Sequence, residues 1–221
     1  MNIPADLFPD YFYWAAHVLY LPMLLWVLYS APWYKMRSAE NRHVIFGATV
    51  LLMLLWSMKA GVRPGMNFHL IGATLLMLMF GWKFAILSLS MVLLGQTLYG
   101  NIEWHAFSLN AMLMVIGPVM FSYFIYRISQ LYLPKHFFVY TLFNGFFCAI
   151  MTMLLLVLTT CVLLYGFSGY DWDDIYYRYL PFTPLMVFAE GFFTGMLTSS
   201  MVLFRPEWIG SFDDRRYLNG K

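Results

Sequence analysis

Apolar runs dominate the chain and are separated by short polar connectors. Seven such segments lie near residues 9–31, 43–60, 67–81, 83–100, 108–132, 137–167 and 180–204, and each predicts a helix. Runs of roughly 20 residues are long enough to cross ~30 Å of hydrocarbon. The third segment is short, and Gly81-Trp82-Lys83 separates it from the fourth. The sixth is too long for a perpendicular crossing, so it must tilt, kink or protrude. Period-two strands of about ten residues, the mark of a membrane barrel, do not occur. Nor does an internal repeat of the inverted-transporter kind. The predicted fold class is therefore an all-α membrane protein. It is a seven-transmembrane-helix bundle, with residues 1–221 forming a single integral membrane domain and 205–221 a tail.

Composition agrees. Of 221 residues, 62% are hydrophobic and only 11% charged, against about a quarter charged in soluble domains. The net charge of +2 is small and the basic residues are scattered, so the expected surroundings are lipid and not nucleic acid. Cys148 and Cys161 share one predicted helix. At ~1.5 Å rise per residue they sit about 20 Å apart, beyond disulfide distance, and serve as apolar filler.

Charge also orients the chain. With the N-terminus outside, ten basic residues fall on the cytoplasmic side: Lys35, Arg37, Arg42, Lys83, Arg127, Lys135, Arg205, Arg215, Arg216 and Lys221. Only Lys59, Arg63 and Arg178 fall outside. The expected location is a bacterial cytoplasmic (inner) membrane, multi-pass, with the 205–221 tail cytoplasmic. His17, His69 and His105 then belong to the outer half, and His43 and His136 to the inner face.

The opening MNIPADLFPD has no basic n-region, apolar h-region or small-residue cleavage site, so it is not expected to be a signal peptide. A free α-amine and the next backbone nitrogen can close a five-membered chelate ring on a square-planar metal ion. Imidazole is the commonest protein ligand for such ions. Asn2 is bulky enough for Met1 to survive processing, and Pro4 stiffens the strand behind it. Glu190, ten residues into the last span, is costly at that depth. Its expected partners are the N-terminal segment, Asn110 or Gln96, most simply in a structural hydrogen bond between helices. Gly191 and Gly195 form a GxxxG of the kind that lets helices approach closely. P-loop, HExxH and GxSxG motifs are missing, so no enzyme activity is expected, and no intrinsic cofactor.

Four segments resemble the CbiM/NikM family, the substrate-binding membrane components of energy-coupling-factor transporters for cobalt and nickel. MNIPADLFP is similar to that family's MHIPDGFLSP start. NFHLIGATLLMLMFGWKFAILSLSMVLLGQTLYG at 67–100, LNAMLMVIGP at 109–118 and FAEGFFTGMLTSSMV at 188–202 follow in the family's order. The resemblance implies an N-terminal segment (residues 1–8) folded back into the bundle. It implies metal ligation by the Met1 amine, residue 2 and His69. It also implies a transmembrane coupling component and cytoplasmic ATPase subunits as partners. The chain departs at Asn2, where the family has histidine. His17, His105, Met66 and the Met1 sulfur are the groups able to replace that imidazole. Thioether with imidazole would suit copper better than nickel. The implied function is uptake of a transition metal ion (Ni, Co or Cu). The alternatives are a non-transporting assembly or scaffold subunit, or a haem-binding membrane protein that uses two of the histidines.

Overall fold

The protein was described from a computed structural model covering residues 1–213 and Tyr217. Arg215, Arg216 and Lys221 of the basic count lie outside the described residues. The helices are α1 (Asp10–Ser30), α2 (Ala39–Ser57), α3 (Ala73–Phe80), α4 (Trp82–Leu98), α5 (Phe107–Ala111), α6 (Gly117–Tyr132), α7 (Phe137–Val139), α8 (Cys148–Phe167), α9 (Trp172–Arg178) and α10 (Thr183–Phe204). Strands β1 (Ala60–Arg63) and β2 (Met66–Phe68) form an antiparallel hairpin between α2 and α3. The sequence pattern assigned that hairpin to a loop.

Among the described residues, four helical stretches are long and apolar enough to cross a membrane: Asp10–Ser30, Phe107–Tyr132, Phe137–Phe167 and Trp172–Phe204. The second and third contain π-helical turns, at Met112–Ile116 and Tyr140–Phe147. The latter lies within the over-long sixth segment, which is one continuous helical stretch of 31 residues. Contacts sort the connections into two ends. At one, Met1 meets Gly65, Asn2 meets Asn101, and Arg63 pairs with Asp174. At the other, Lys83 bonds the Ser30 carbonyl, Trp208 bonds Glu40, and Gly210 bonds Met79. Among the described residues the chain thus passes between the ends seven times.

The third pass departs from the predicted continuous helix over 67–81. Residues 69–72 are non-helical, and α3 has only 8 residues. Three of those non-helical residues at up to ~3.3 Å and eight helical ones at ~1.5 Å still cover about 22 Å. α3 packs against α4, α6, α8 and α10, and Ala73 through Met79 are all buried. An uncovered extended backbone at this depth would be untenable. Here Glu190 accepts from the Ile71 and Gly72 amides, both at 2.8 Å, and Trp56 Nε1 donates to the Ile71 carbonyl at 3.3 Å. The partners expected of Glu190 from sequence were different. It bonds backbone on the third pass because those two amides precede a helix start and have no other acceptor in the ladder. Thr74, Ser122 and Thr152 form a hydroxyl chain, at 2.7 and 2.8 Å, tying α3 to α6 and α8.

Gly72 makes the bend into α3 at φ +70°, and a Cβ there would lie 2.5 Å from Leu52 Cδ2. A left-handed backbone combined with this crowding predicts that Gly72→Ala destabilises the protein by about 1–3 kcal/mol. Thermal unfolding in detergent measures it, and a change within ±0.5 kcal/mol would show that the bend is not constrained.

Candidate metal site

The first residues are built into the bundle. Met1 and Ile3 are 0% exposed and Phe8 is 5% exposed. Burying a side chain of that size contributes about 2 kcal/mol. The register is set by amides. Asn110 Oδ1 accepts from the Ile3 N–H at 2.8 Å, and its Nδ2 donates back to the Ile3 carbonyl at 2.8 Å, as a neighbouring strand would. The Tyr13 hydroxyl donates to the Pro4 carbonyl at 2.7 Å and accepts from the Phe8 N–H at 3.1 Å. Glu103 accepts from the Ala5 N–H at 2.7 Å. Pro4 presents no N–H that would need a partner.

At the tip, the Met1 amine donates to the Gly65 carbonyl at 3.1 Å, to Asn67 Oδ1 at 2.6 Å and to the Asn67 carbonyl. Asn67 Oδ1 also accepts from the Asn2 N–H at 2.9 Å. Burial, and then the charge of Lys59, push the amine's pKa well below its usual value. The Asn2 side chain donates through Nδ2 to the Asn101 carbonyl at 3.1 Å. Its Oδ1 is buried with no hydrogen-bond partner among the described residues. Asn2 and His69 line one small cavity of about 10 Å³, together with Trp56, Lys59, Gln96, Asn101 and Ile102. That is room for one water-sized sphere. His69 is 4% exposed, its ring lies 4.7 Å from that of Trp56, and Nδ1 sits 3.3 Å from the Leu70 carbonyl. Lys59 lines the same cavity, with Nζ donating to the Asn101 carbonyl at 3.4 Å.

Asn2 and His69 therefore share a cavity, while Met1, bonded to Asn2, is not among the residues that line it. The lower-weight candidates sit elsewhere. His17 Nδ1 lies 2.7 Å from Ser108 Oγ. His105 Nε2 lies 3.5 Å from Asp10 Oδ1, against the Tyr13 ring. Met66 is buried on β2 and lines a different cavity with Phe68, Phe182 and Leu185. Gln96 bonds the Met53 carbonyl and Ser57 at 2.8 and 3.0 Å and accepts from Asn101 Nδ2 at 2.7 Å. It thereby holds the loop that carries the Asn101 carbonyl. Among the described residues, no group of three or more His, Cys, Asp or Glu side chains is placed to hold a metal ion. Any ion here depends on the amine and on amide atoms. Sequence reasoning missed Asn67, Asn101, Lys59 and Glu103. The signal available was weak: Asn67 lies two residues before His69, and Asn101 follows the Gly100 turn at φ +84°.

The buried amine predicts a pH effect on the plug. Its folded pKa lies below the ~7.7–8.0 of a free α-amine, so the unfolded state binds more protons in the interval between. Stability of the plugged state rises with pH there and falls as pH drops. Amide exchange of Asn2 and Ile3, corrected for intrinsic rates, is expected to show more frequent opening at pH 6 than at pH 8. Equal opening at both would show that the amine does not titrate between them.

A search of curated protein sequences finds no match. Two crystal structures share the fold. One, described as a truncated transition metal transporter, aligns at TM-score 0.71 with 20% identity, over 92% of this chain and 98% of that one. The other, described as a transition metal transporter, aligns at TM-score 0.63 with 19% identity, over 94% of this chain and 93% of that one. The family of cobalt uptake substrate-specific transmembrane regions, CbiM, matches residues 2–208. With nearly the whole length matched, the chain belongs to the CbiM family, as a multi-pass membrane protein.

Proposed function

We propose that this metal-uptake subunit captures a divalent transition metal ion of the cobalt–nickel class at the cavity shared by Asn2 and His69. The ligands are the Met1 amine, the Asn2 backbone nitrogen and side-chain oxygen, and His69. The observation that carries this reading is Asn2 Oδ1, buried without a hydrogen-bond partner among the described residues, on a residue that lines the same cavity as His69. A buried amide oxygen left without a partner costs about 1–3 kcal/mol, and an entering cation removes that cost. The amine and backbone nitrogen close a five-membered ring, and the backbone nitrogen and Oδ1 a six-membered one. Contact between Nδ1 and its own backbone leaves Nε2 of His69 as the coordinating atom. The lowered pKa of the amine makes its neutral, ligating form accessible, in which the ion takes the place of one of the three donor contacts to Gly65 and Asn67.

Oxygen in place of an imidazole nitrogen moves the site toward harder ions, and so toward cobalt relative to nickel or copper. Met66 lies outside this cavity, which removes the main argument for copper. The family and fold favour this reading over a scaffold or haem role. The plug end faces outward, in keeping with the basic residues at the opposite end, in a bacterial inner membrane. Energy comes from a transmembrane coupling component and cytoplasmic ATPase subunits, and the chain itself catalyses no reaction.

Calorimetric titration of purified protein bearing its native first residue tests the assignment. Co(II) and Ni(II) are expected to bind at one site, with about one proton released per ion if the Asn2 nitrogen ligates. His69→Ala, Asn2→Leu and a one-residue N-terminal extension are each expected to weaken binding by more than the roughly 10–100-fold typical of losing an outer-shell partner. Asn2→His is expected to tighten Ni(II) more than Co(II). Unchanged affinity in His69→Ala, or in the extended chain, would refute the ligand set.

A further inference from the structure

The half-helix that follows His69 is attached to the last helix and its tail at both ends. At its start, Glu190 on α10 accepts from the Ile71 and Gly72 amides. At its finish, the segment after α10 folds under α3. The Gly210 N–H donates to the Met79 carbonyl at 2.8 Å, and the Ser211 N–H donates to the Leu78 carbonyl at 3.1 Å. Ser211 Oγ lies 2.6 Å from that same Leu78 carbonyl. These carbonyls belong to the last turn of a helix, where no intrahelical donor remains. The tail supplies the donors. It is itself fixed: the Tyr126 hydroxyl donates to the Ser211 carbonyl at 3.0 Å, Tyr140 meets Ser211 Oγ at 2.6 Å, and Phe212 packs on the Tyr140 ring at 4.9 Å. Bonds and chain thus close a ring from Glu190 along α10 to Gly210, across to Met79, up α3 to Gly72 and back to Glu190.

The other ligands belong to a different set of attachments. Met1 and Asn2 are held by Asn67 and Asn101, and Ile3 by Asn110 on α5. None of those anchors lies on α3 or α10. His69 therefore lies between the two sets of attachments, two residues after Asn67, which holds the chelate, and two before Ile71, which Glu190 holds.

We propose that α3 is a strut joining the tail segment 209–212 to His69, with Glu190 as its positioning residue, so that a shift of the tail changes the separation of His69 from the Met1–Asn2 chelate. The release consequence rests on the metal assignment above; the mechanical link does not. Close packing favours this transmission, since a buried helix shifts as a unit and does not compress. Withdrawing one imidazole from a small cation lowers its affinity without dismantling the plug. The tail lies at the end opposite the plug, so the strut carries a displacement from one face to the other.

Gly210→Ala tests the link from its far end. A Cβ there would lie 2.9 Å from the Met79 carbonyl oxygen, so the tail must move off α3, while every proposed ligand is untouched. Hydrogen exchange of the full-length, metal-free protein is the first readout. The strut predicts faster exchange of the Ile71 and Gly72 amides, by about tenfold, a coupling within the 0.5–3 kcal/mol usual for linked groups. An increase confined to residues 205–212 and the last turn of α3 would overturn it. Ser211→Ala, which removes only the hydroxyl contacts, is expected to act in the same direction more weakly, and serves if Gly210→Ala does not fold. The second readout is the rate of Co(II) loss to a chelator. Gly210→Ala and Glu190→Gln should each accelerate it, and the double variant should be no faster than the faster single one. Multiplying effects would mean two independent perturbations and would overturn the strut. A wild-type protein that binds no Co(II) would instead overturn the metal assignment, and the exchange readout would then decide the strut alone.

Discussion

A backbone that leaves helical geometry inside hydrocarbon has no water to bond, so each freed N–H and C=O must find a partner within the protein. Backbone buried in protein faces the same requirement, and this structure meets it twice within one site. The N-terminal plug is extended chain, matched by side-chain amides from Asn67 and Asn110. The stretch before α3 is also non-helical, and it is matched by the Glu190 carboxylate and the Trp56 indole. The candidate ligands sit on these two irregular stretches. Regular helix cannot place a terminal amine, a backbone nitrogen and an imidazole around one point. Irregular chain can, provided the bundle around it is rich in acceptors and donors at the right depth.

The same constraint explains which polar residues occupy the interior. Asn110 is needed for an extended neighbour, and Gln96 for the loop that carries Asn101. Glu190 is needed because two adjacent N–H groups point the same way at a helix start, and one carboxylate offers two acceptors for them. Among the described residues the Asn2 oxygen is a buried side-chain atom without a partner, as are the Tyr179 and Thr183 hydroxyls. Among these atoms it is the one whose residue lines a cavity with an imidazole, and that combination has the chemistry of a place kept for a cation.

Much of the architecture was legible from hydropathy alone. The long α1, α6, α8 and α10 segments announce themselves by length, and the odd number of passes follows from the basic residues. The burial of the chain's start was legible only by resemblance, since composition gives no reason for MNIPADLFP to be inside. The third pass was misread as a plain helix, because a non-helical stretch such as HLIG and a helical one are equally apolar and differ only in their partners. Glu190 shows why those partners were invisible. It lies 119 residues from Ile71, and no local pattern couples a carboxylate on one helix to two amides on another. The β1–β2 hairpin was missed for a related reason: its strands are too short to show alternation, although Gly65 at φ +80° marks the turn.

The most direct test of the central claim is X-ray absorption at the Co(II) edge, on protein whose first residue carries no tag. A shell of nitrogen and oxygen donors with the outer scattering of one imidazole is predicted, and that imidazole signal should vanish in His69→Ala. A sulfur neighbour, or an ion surrounded by water alone, would contradict it.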